Sequence, residues 1–89
     1  MLVFEYDHGK NRLNKERHGV SLDDAKAMWD STHVVIPAKN VLGEDRFAIV
    51  GQVRGKIYVA IFTERKESVR LISCHRADGR LVRIYEKYI

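Results

Sequence analysis

Apolar residues along this 89-residue chain recur in two rhythms, and the switches between them mark out its elements. Residues 2–6 alternate weakly, as a strand with one buried face does. Asp7 stands where a helix N-cap belongs, and a polar stretch to about Arg17 follows, with Gly19 predicted as its left-handed stop. Lys10, Asn14 and His18, spaced by four, share one face of that helix, while Leu13 and the stem of Arg17 face elsewhere. A second helix opens on Ser21, with Asp24 three residues on in the manner of a capping box. Behind it runs the apolar stripe Leu22, Ala25, Met28 and Trp29, which predicts a core-facing helix with Trp29 inside. Asp30-Ser31-Thr32 ends it.

The β-branched run Val34-Val35-Ile36 stops at Pro37, which lacks the N–H that a sheet ladder needs. Residues 37–44 read as a connecting loop. Residues 46–51, 56–63 and 69–76 are predicted strands joined at Arg54-Gly55 and Arg65-Lys66-Glu67, so an antiparallel meander is the economical arrangement. After Asp78-Gly79, Leu81, Val82, Ile84, Tyr85 and Tyr88 return to helical spacing, with Arg80, Arg83 and Lys87 interleaved. Helices at both ends and strands between them predict an α+β fold: a small antiparallel sheet with two N-terminal helices and a C-terminal one. No repeat, low-complexity segment or linker interrupts the pattern, so residues 1–89 are expected to form a single domain.

Charge narrows the function. Sixteen Lys and Arg against twelve Asp and Glu give a net +4, which suits an anionic partner. Residues 1–32 hold five bases and six acids, residues 33–63 four and two, and residues 64–89 seven and four. The positive field is therefore expected in the C-terminal two-thirds. A single cysteine, Cys74, forbids an intrachain disulfide and reads as a small apolar filler, which fits a reducing cytoplasm. The first residues lack the features of a signal peptide, no stretch is long enough to span a membrane, and no His, Cys or carboxylate set has metal-ligand spacing. No metal, cofactor or membrane partner is expected.

Metal-free RNA cleavage, the activity implied by the family resemblance given below, is a reaction that the remaining cations and imidazoles could serve. In that reaction the substrate's own 2′-hydroxyl is the nucleophile, so a protein must take its proton, neutralise the phosphorane oxygens and protonate the leaving 5′-oxygen. Arg46, Arg65, Arg70, Arg76, Arg80 and Arg83 are candidate phosphate contacts, because guanidinium matches phosphate in a bidentate fork. Strand alternation places Leu71, Ser73 and His75 on one side, and Arg70, Ile72, Cys74 and Arg76 on the other. His75 and Arg76 then share a cleft only where a bulge or the strand's end intervenes. His75 is either the general base or acid, since imidazole titrates near neutrality, or simply the end of a strand. His18 is either a favourable cation at a helix C-terminus or a catalytic group on the face of Lys10 and Asn14. Tyr85 either donates to or stacks on RNA, or packs in the core; Lys10 either holds a phosphate or is solvated. Glu5, Asp7 and Glu64 are expected to support: Asp7 as a cap, the glutamates by holding arginines in place. His8 and His33 read as surface residues.

The chain also resembles a known family. Phe4-Glu5-Tyr6-Asp7, Lys10, Asn14 and His18-Gly19-Val20 match the opening of the BrnT toxins. Glu44, Arg46, Gly51, Thr63-Glu64-Arg65, Arg70, Ile72-Ser73, Ala77 and Tyr85-Glu86 match the remainder in order and spacing. The resemblance implies a RelE-like fold and a metal-independent ribonuclease that inhibits translation from the cytoplasm. Taken with the chemistry above, the candidate site residues are His75, Arg46, Arg65, Lys10, Tyr85 and His18, with Arg70, Arg76, Arg80 and Arg83 on the RNA. It further implies a BrnA-like antitoxin partner, operator DNA reached only through that antitoxin, and a two-to-two assembly. Two positions depart from the pattern: His75 stands where arginine is expected, and Leu81 where the last helix often carries glutamate. A catalytically impaired, antitoxin-binding co-repressor is the alternative they leave open. The nuclease reading requires Arg46, Arg65 and His75 to converge on one cleft.

Overall fold

A computed structural model of the chain describes residues 2–89. The chain order is β1 (Val3–Glu5), α1 (His8–His18), α2 (Leu22–Ala25) continuing as a 3-10 turn (Lys26–Asp30), β2 (His33–Pro37), β3 (Phe47–Val53), β4 (Lys56–Arg65), β5 (Ser68–Arg76) and α3 (Gly79–Tyr88). The α+β class is as expected. The purely antiparallel sheet is not. The strands lie in the order β1-β5-β4-β3-β2, and while β2 to β5 form the antiparallel meander, β1 runs parallel to β5, with Val3 opposite Ser68 and Glu5 opposite Arg70. Alternation along residues 2–6 carries no information about the direction of a neighbouring strand, so only the assembled sheet shows it.

Local signals set the ends of the elements. Asp7 accepts the Lys10 backbone N–H at 3.2 Å, and Gly19, at φ 72°, closes α1 by donating its N–H to the Lys15 carbonyl. Ser21 and Asp24 form both bonds of the predicted capping box, each at 2.9 Å. The β3–β4 hairpin turns on Arg54-Gly55, both at positive φ, the two-residue geometry whose twist matches that of the strands.

Apolar layers cover both sides of the sheet. Leu22, Ala25 and Met28 pack on Ile49, Tyr58, Ala60, Phe62, Leu71 and Cys74. Half-buried Trp29 sits at the rim of this layer, edge-on to Phe4 and Phe62 with ring centres 5.1 Å away in each case. Leu81 and Tyr85 of α3 pack on Ala48, Val50 and Val59 on the other side. Gly51 lets the 3-10 turn close on β3, since a Cβ there would lie 3.2 Å from the Met28 Cβ. α1 has no comparable apolar anchor: Asn14 is its one buried residue and Leu13 is 40% exposed.

Candidate active site

For most of its length β5 lacks a strand on its outer side, because β1 reaches only from Ser68 to Arg70. Beyond that point α1 is the neighbour, and one side chain takes the place of a strand. The Asn14 carbonyl oxygen accepts the Cys74 N–H at 3.2 Å, and its Nδ2 donates to the carbonyls of Cys74 at 2.6 Å and Val20 at 2.7 Å. A primary amide offers both donor and acceptor, so it satisfies the two backbone groups that an absent strand leaves open. Helical spacing then puts Lys10 one turn before Asn14 and His18 one turn after it, both along the β5 edge.

A bulge decides which residues of β5 face that edge. Ile61 stands opposite Ser73 and Phe62 opposite Leu71, which leaves Ile72 unopposed. The extra residue resets the alternation, so Leu71 and Cys74 lie in the same core layer despite opposite parity. The expected grouping of Leu71 with Ser73 and His75 is corrected accordingly. His75 and Arg76 line one depression together because the strand ends there.

His18 and His75 approach to 5.7 Å between ring centres, tilted by 48°. The His75 Nδ1 lies 2.9 Å from the Arg76 carbonyl oxygen. A carbonyl only accepts, so Nδ1 carries the proton, and in the neutral ring Nε2 is left with the free lone pair. Two adjoining depressions open here. One of about 230 Å³ is lined by Lys10, Asn14 and Ser73 among others, the second of about 570 Å³ by His75 and Arg76, and both by Arg17 and His18. They form one groove between α1 and the end of β5. Lys10, Arg17 and Arg76 make no ion pair among the described residues. The Arg76 guanidinium lies 5.7 Å from the centre of the Tyr58 ring, which orients it without cancelling its charge. Leu13 and Arg17, expected to face elsewhere, both line the groove, and Arg17 adds a charge to it. The signal for Arg17 was present: 10, 14 and 17 follow the i, i+4, i+7 pattern of a single helix face.

The other predicted arginines lie elsewhere. Arg46 and Arg65 sit at 3.7 and 3.2 Å from Glu44, and Arg65 and Arg70 at 3.9 and 3.6 Å from Glu5. Arg65 pairs with Ser68 at the start of β5, seven residues before His75 and so roughly 20 Å away at the rise of a strand. The expected convergence of Arg46, Arg65 and His75 does not occur, so a nuclease site built on those three residues fails, and any cleavage site has to be assembled from other side chains around His75. Glu5 holds arginines as expected; Glu64 makes no ion pair among the described residues, and Glu44 takes that place. Tyr85 is a further correction. It is 3% exposed, with its hydroxyl 3.3 Å from the Thr32 carbonyl that it donates to, and so is closed to substrate. Leu81 is buried beside it, and Arg80 and Arg83 are exposed on α3, outside the groove.

Burial pushes the Cys74 thiol up to about 12, which makes it a poor nucleophile at neutral pH. Among the described residues no three His, Cys, Asp or Glu side chains are arranged to hold a metal ion.

These features define a small basic α+β domain with an open groove suited to a phosphate-bearing substrate. The family model described as "Ribonuclease toxin, BrnT, of type II toxin-antitoxin system" matches residues 6–80. The match covers most of the chain, and the protein belongs to that family, so an RNA target and an antitoxin partner come with it. A search of curated proteins found no match. No helix of the described residues is long and apolar enough to cross a membrane.

Proposed function

We propose that the chain cleaves single-stranded RNA in the His18–His75 groove, without a metal ion and with the 2′-hydroxyl as nucleophile. One observation supports this most: two imidazoles lie 5.7 Å apart in a groove whose lysine and arginines have no carboxylate partner among the described residues. In this reading the His75 Nε2 takes the 2′-hydroxyl proton, and the 2′-oxygen attacks phosphorus. Protonated His18 then gives its proton to the departing 5′-oxygen. The products are a 2′,3′-cyclic phosphate and a 5′-hydroxyl. Lys10, Arg17 and Arg76 neutralise charge on the phosphorane oxygens. Arg46, Arg65 and Arg70, already paired with Glu5 and Glu44 at the far end of the sheet, meet RNA only peripherally.

In the cell this activity would act in the cytoplasm on messenger RNA and stop translation. A BrnA-like antitoxin would silence it in a two-to-two complex and carry it to operator DNA. The overall topology is read as RelE-like. The test is cleavage of single-stranded RNA by the purified chain in EDTA, with the cyclic phosphate end identified by mass spectrometry. Equal cleavage of RNA that is 2′-O-methylated throughout overturns the mechanism. Intact RNA together with tight antitoxin binding favours the co-repressor reading, which the His75 departure keeps open.

A further inference from the structure

We propose that Asn14 is the positioning residue of this groove: its amide sets the distance between His18 and His75 by tying the helix that carries one to the backbone of the strand that carries the other. The inference rests on the groove being the cleavage site. Asn14 and Thr63 are the buried polar side chains among the described residues, and Asn14 is 8% exposed. Because α1 has no fully buried apolar side chain among the described residues, directional polar bonds do much to hold it in place, and three of them end on Asn14. Cys74, the residue before His75, gives both its N–H and its C=O to that amide. Val20, two residues after His18, takes the other N–H. The amide therefore sits where the His18 side of the chain meets the His75 side. Asn11, the other asparagine of α1, accepts the Asp23 N–H at 2.9 Å and so fastens α1 to α2, not to β5.

No side-chain hydrogen bond joins the two imidazoles, and the His75 bond to the Arg76 carbonyl orients only its own ring. Their separation is inherited from the elements that carry them. Apolar contact resists sliding of α1 along β5 only weakly because it is non-directional, whereas a two-point amide bond to one residue resists both sliding and tilting. The rival account is that Asn14 merely caps an exposed strand edge. The two differ in what happens to the histidines when the protein stays folded.

Asn14→Leu keeps a similar volume and removes all three bonds; Asn14→Gln keeps the amide but lengthens its reach, and serves if the leucine variant does not fold. Ile49→Val, in the core away from the groove, is the control for lost stability. All are measured as the full chain at temperatures where each is folded, by kcat and KM on single-stranded RNA and by the NOE between the His18 and His75 rings. Asn14→Leu is expected to lose the NOE and about a hundredfold in kcat, the scale of an ångström misplacement, with KM nearly unchanged. Asn14→Gln should lose less of both. Retention of the NOE and of kcat within threefold overturns the proposal, as does an equal loss in Ile49→Val. If His18→Ala and His75→Ala leave cleavage intact, the groove is not the cleavage site, and the NOE alone then decides whether Asn14 sets the spacing.

Discussion

Two groups of cationic side chains lie at opposite ends of β5, and they differ in their company. Arg46, Arg65 and Arg70 gather around Glu5 and Glu44. Lys10, Arg17 and Arg76 surround two imidazoles and have no carboxylate partner among the described residues. Partly exposed ion pairs are worth only about 0–1 kcal/mol each, so the first group adds little stability. What it does is cancel charge. A phosphate approaching the arginine-rich end meets a nearly neutral surface, and one approaching the groove meets an uncompensated field. Counting charge along the chain points the other way, since residues 1–32 carry a net −1 and yet supply Lys10, Arg17 and His18. Segment charge says how many cations exist; the fold decides which are left free.

The sharpest break of this contrast is catalytic. His18→Ala and His75→Ala should each lower kcat/KM on single-stranded RNA on the order of 10²- to 10⁴-fold, with the melting temperature unchanged. Arg65→Ala should cost less than about tenfold, by the same comparison of transition-state stabilisation. An arginine effect as large as the histidine effect would erase the distinction between the two ends.

Salt dependence reads the same contrast through binding. In a His75→Ala background, Arg17→Ala and Arg76→Ala should each flatten the plot of log affinity for single-stranded RNA against log salt by about 0.7. Replacing Glu5 and Glu44 together by glutamine should steepen it, because three arginines lose their carboxylates. A slope indifferent to both sets means that RNA is held elsewhere.

A smaller effect concerns the junction beside the groove. Asp24 caps α2 and lies 3.5 Å from both Lys15 and Arg54. The Ser21 backbone N–H is the main cause holding its carboxyl below the ordinary 3.8, with Arg54 adding to it against the cost of burial. A carboxylate held low stabilises the fold above its unfolded value, and that stability is lost as pH falls through the folded one. Asp24→Ala should cost about 1 kcal/mol in urea titrations near neutrality, and the gap to the parent chain should close in acid. A gap that persists at low pH would show that the capping bonds are not the cause.

The smallest signal is at Cys74. Its thiol ordinarily loses its proton near 9.0 but in the fold only at about 12, so over that window the unfolded chain releases a proton that the folded one keeps. Stability contributed by the neutral thiol is therefore present below 9.0 and falls as pH rises through the window. Native alkylation at pH 8 should be slow and should speed up in Asn14→Leu, because the amide holds the Cys74 backbone. Equal rates in the two proteins would mean that Asn14 does not hold this edge shut.

Features legible in the sequence share one property: they are local. Asp7 and Gly19 bound α1, Ser21 and Asp24 start α2, and Arg54-Gly55 makes a hairpin, because each bond spans a few residues and depends on side-chain chemistry alone. The family, too, was readable from spaced identities such as His18-Gly19-Val20 and Glu44-x-Arg46.

The rest needed contacts between distant residues. Asn14 bonds to Cys74 across sixty positions, and Glu44 rather than Glu64 meets Arg65. An unopposed Ile72 shifts the parity of β5, and Tyr85 turns its hydroxyl inward to Thr32. Composition and periodicity determined the elements, the α+β class and the supply of cations and imidazoles. Only the tertiary structure decided which cations keep their charge and which histidines meet. Coulombic pairing and hydrogen bonding fall off over a few ångströms of space, and distance along a chain does not measure that separation.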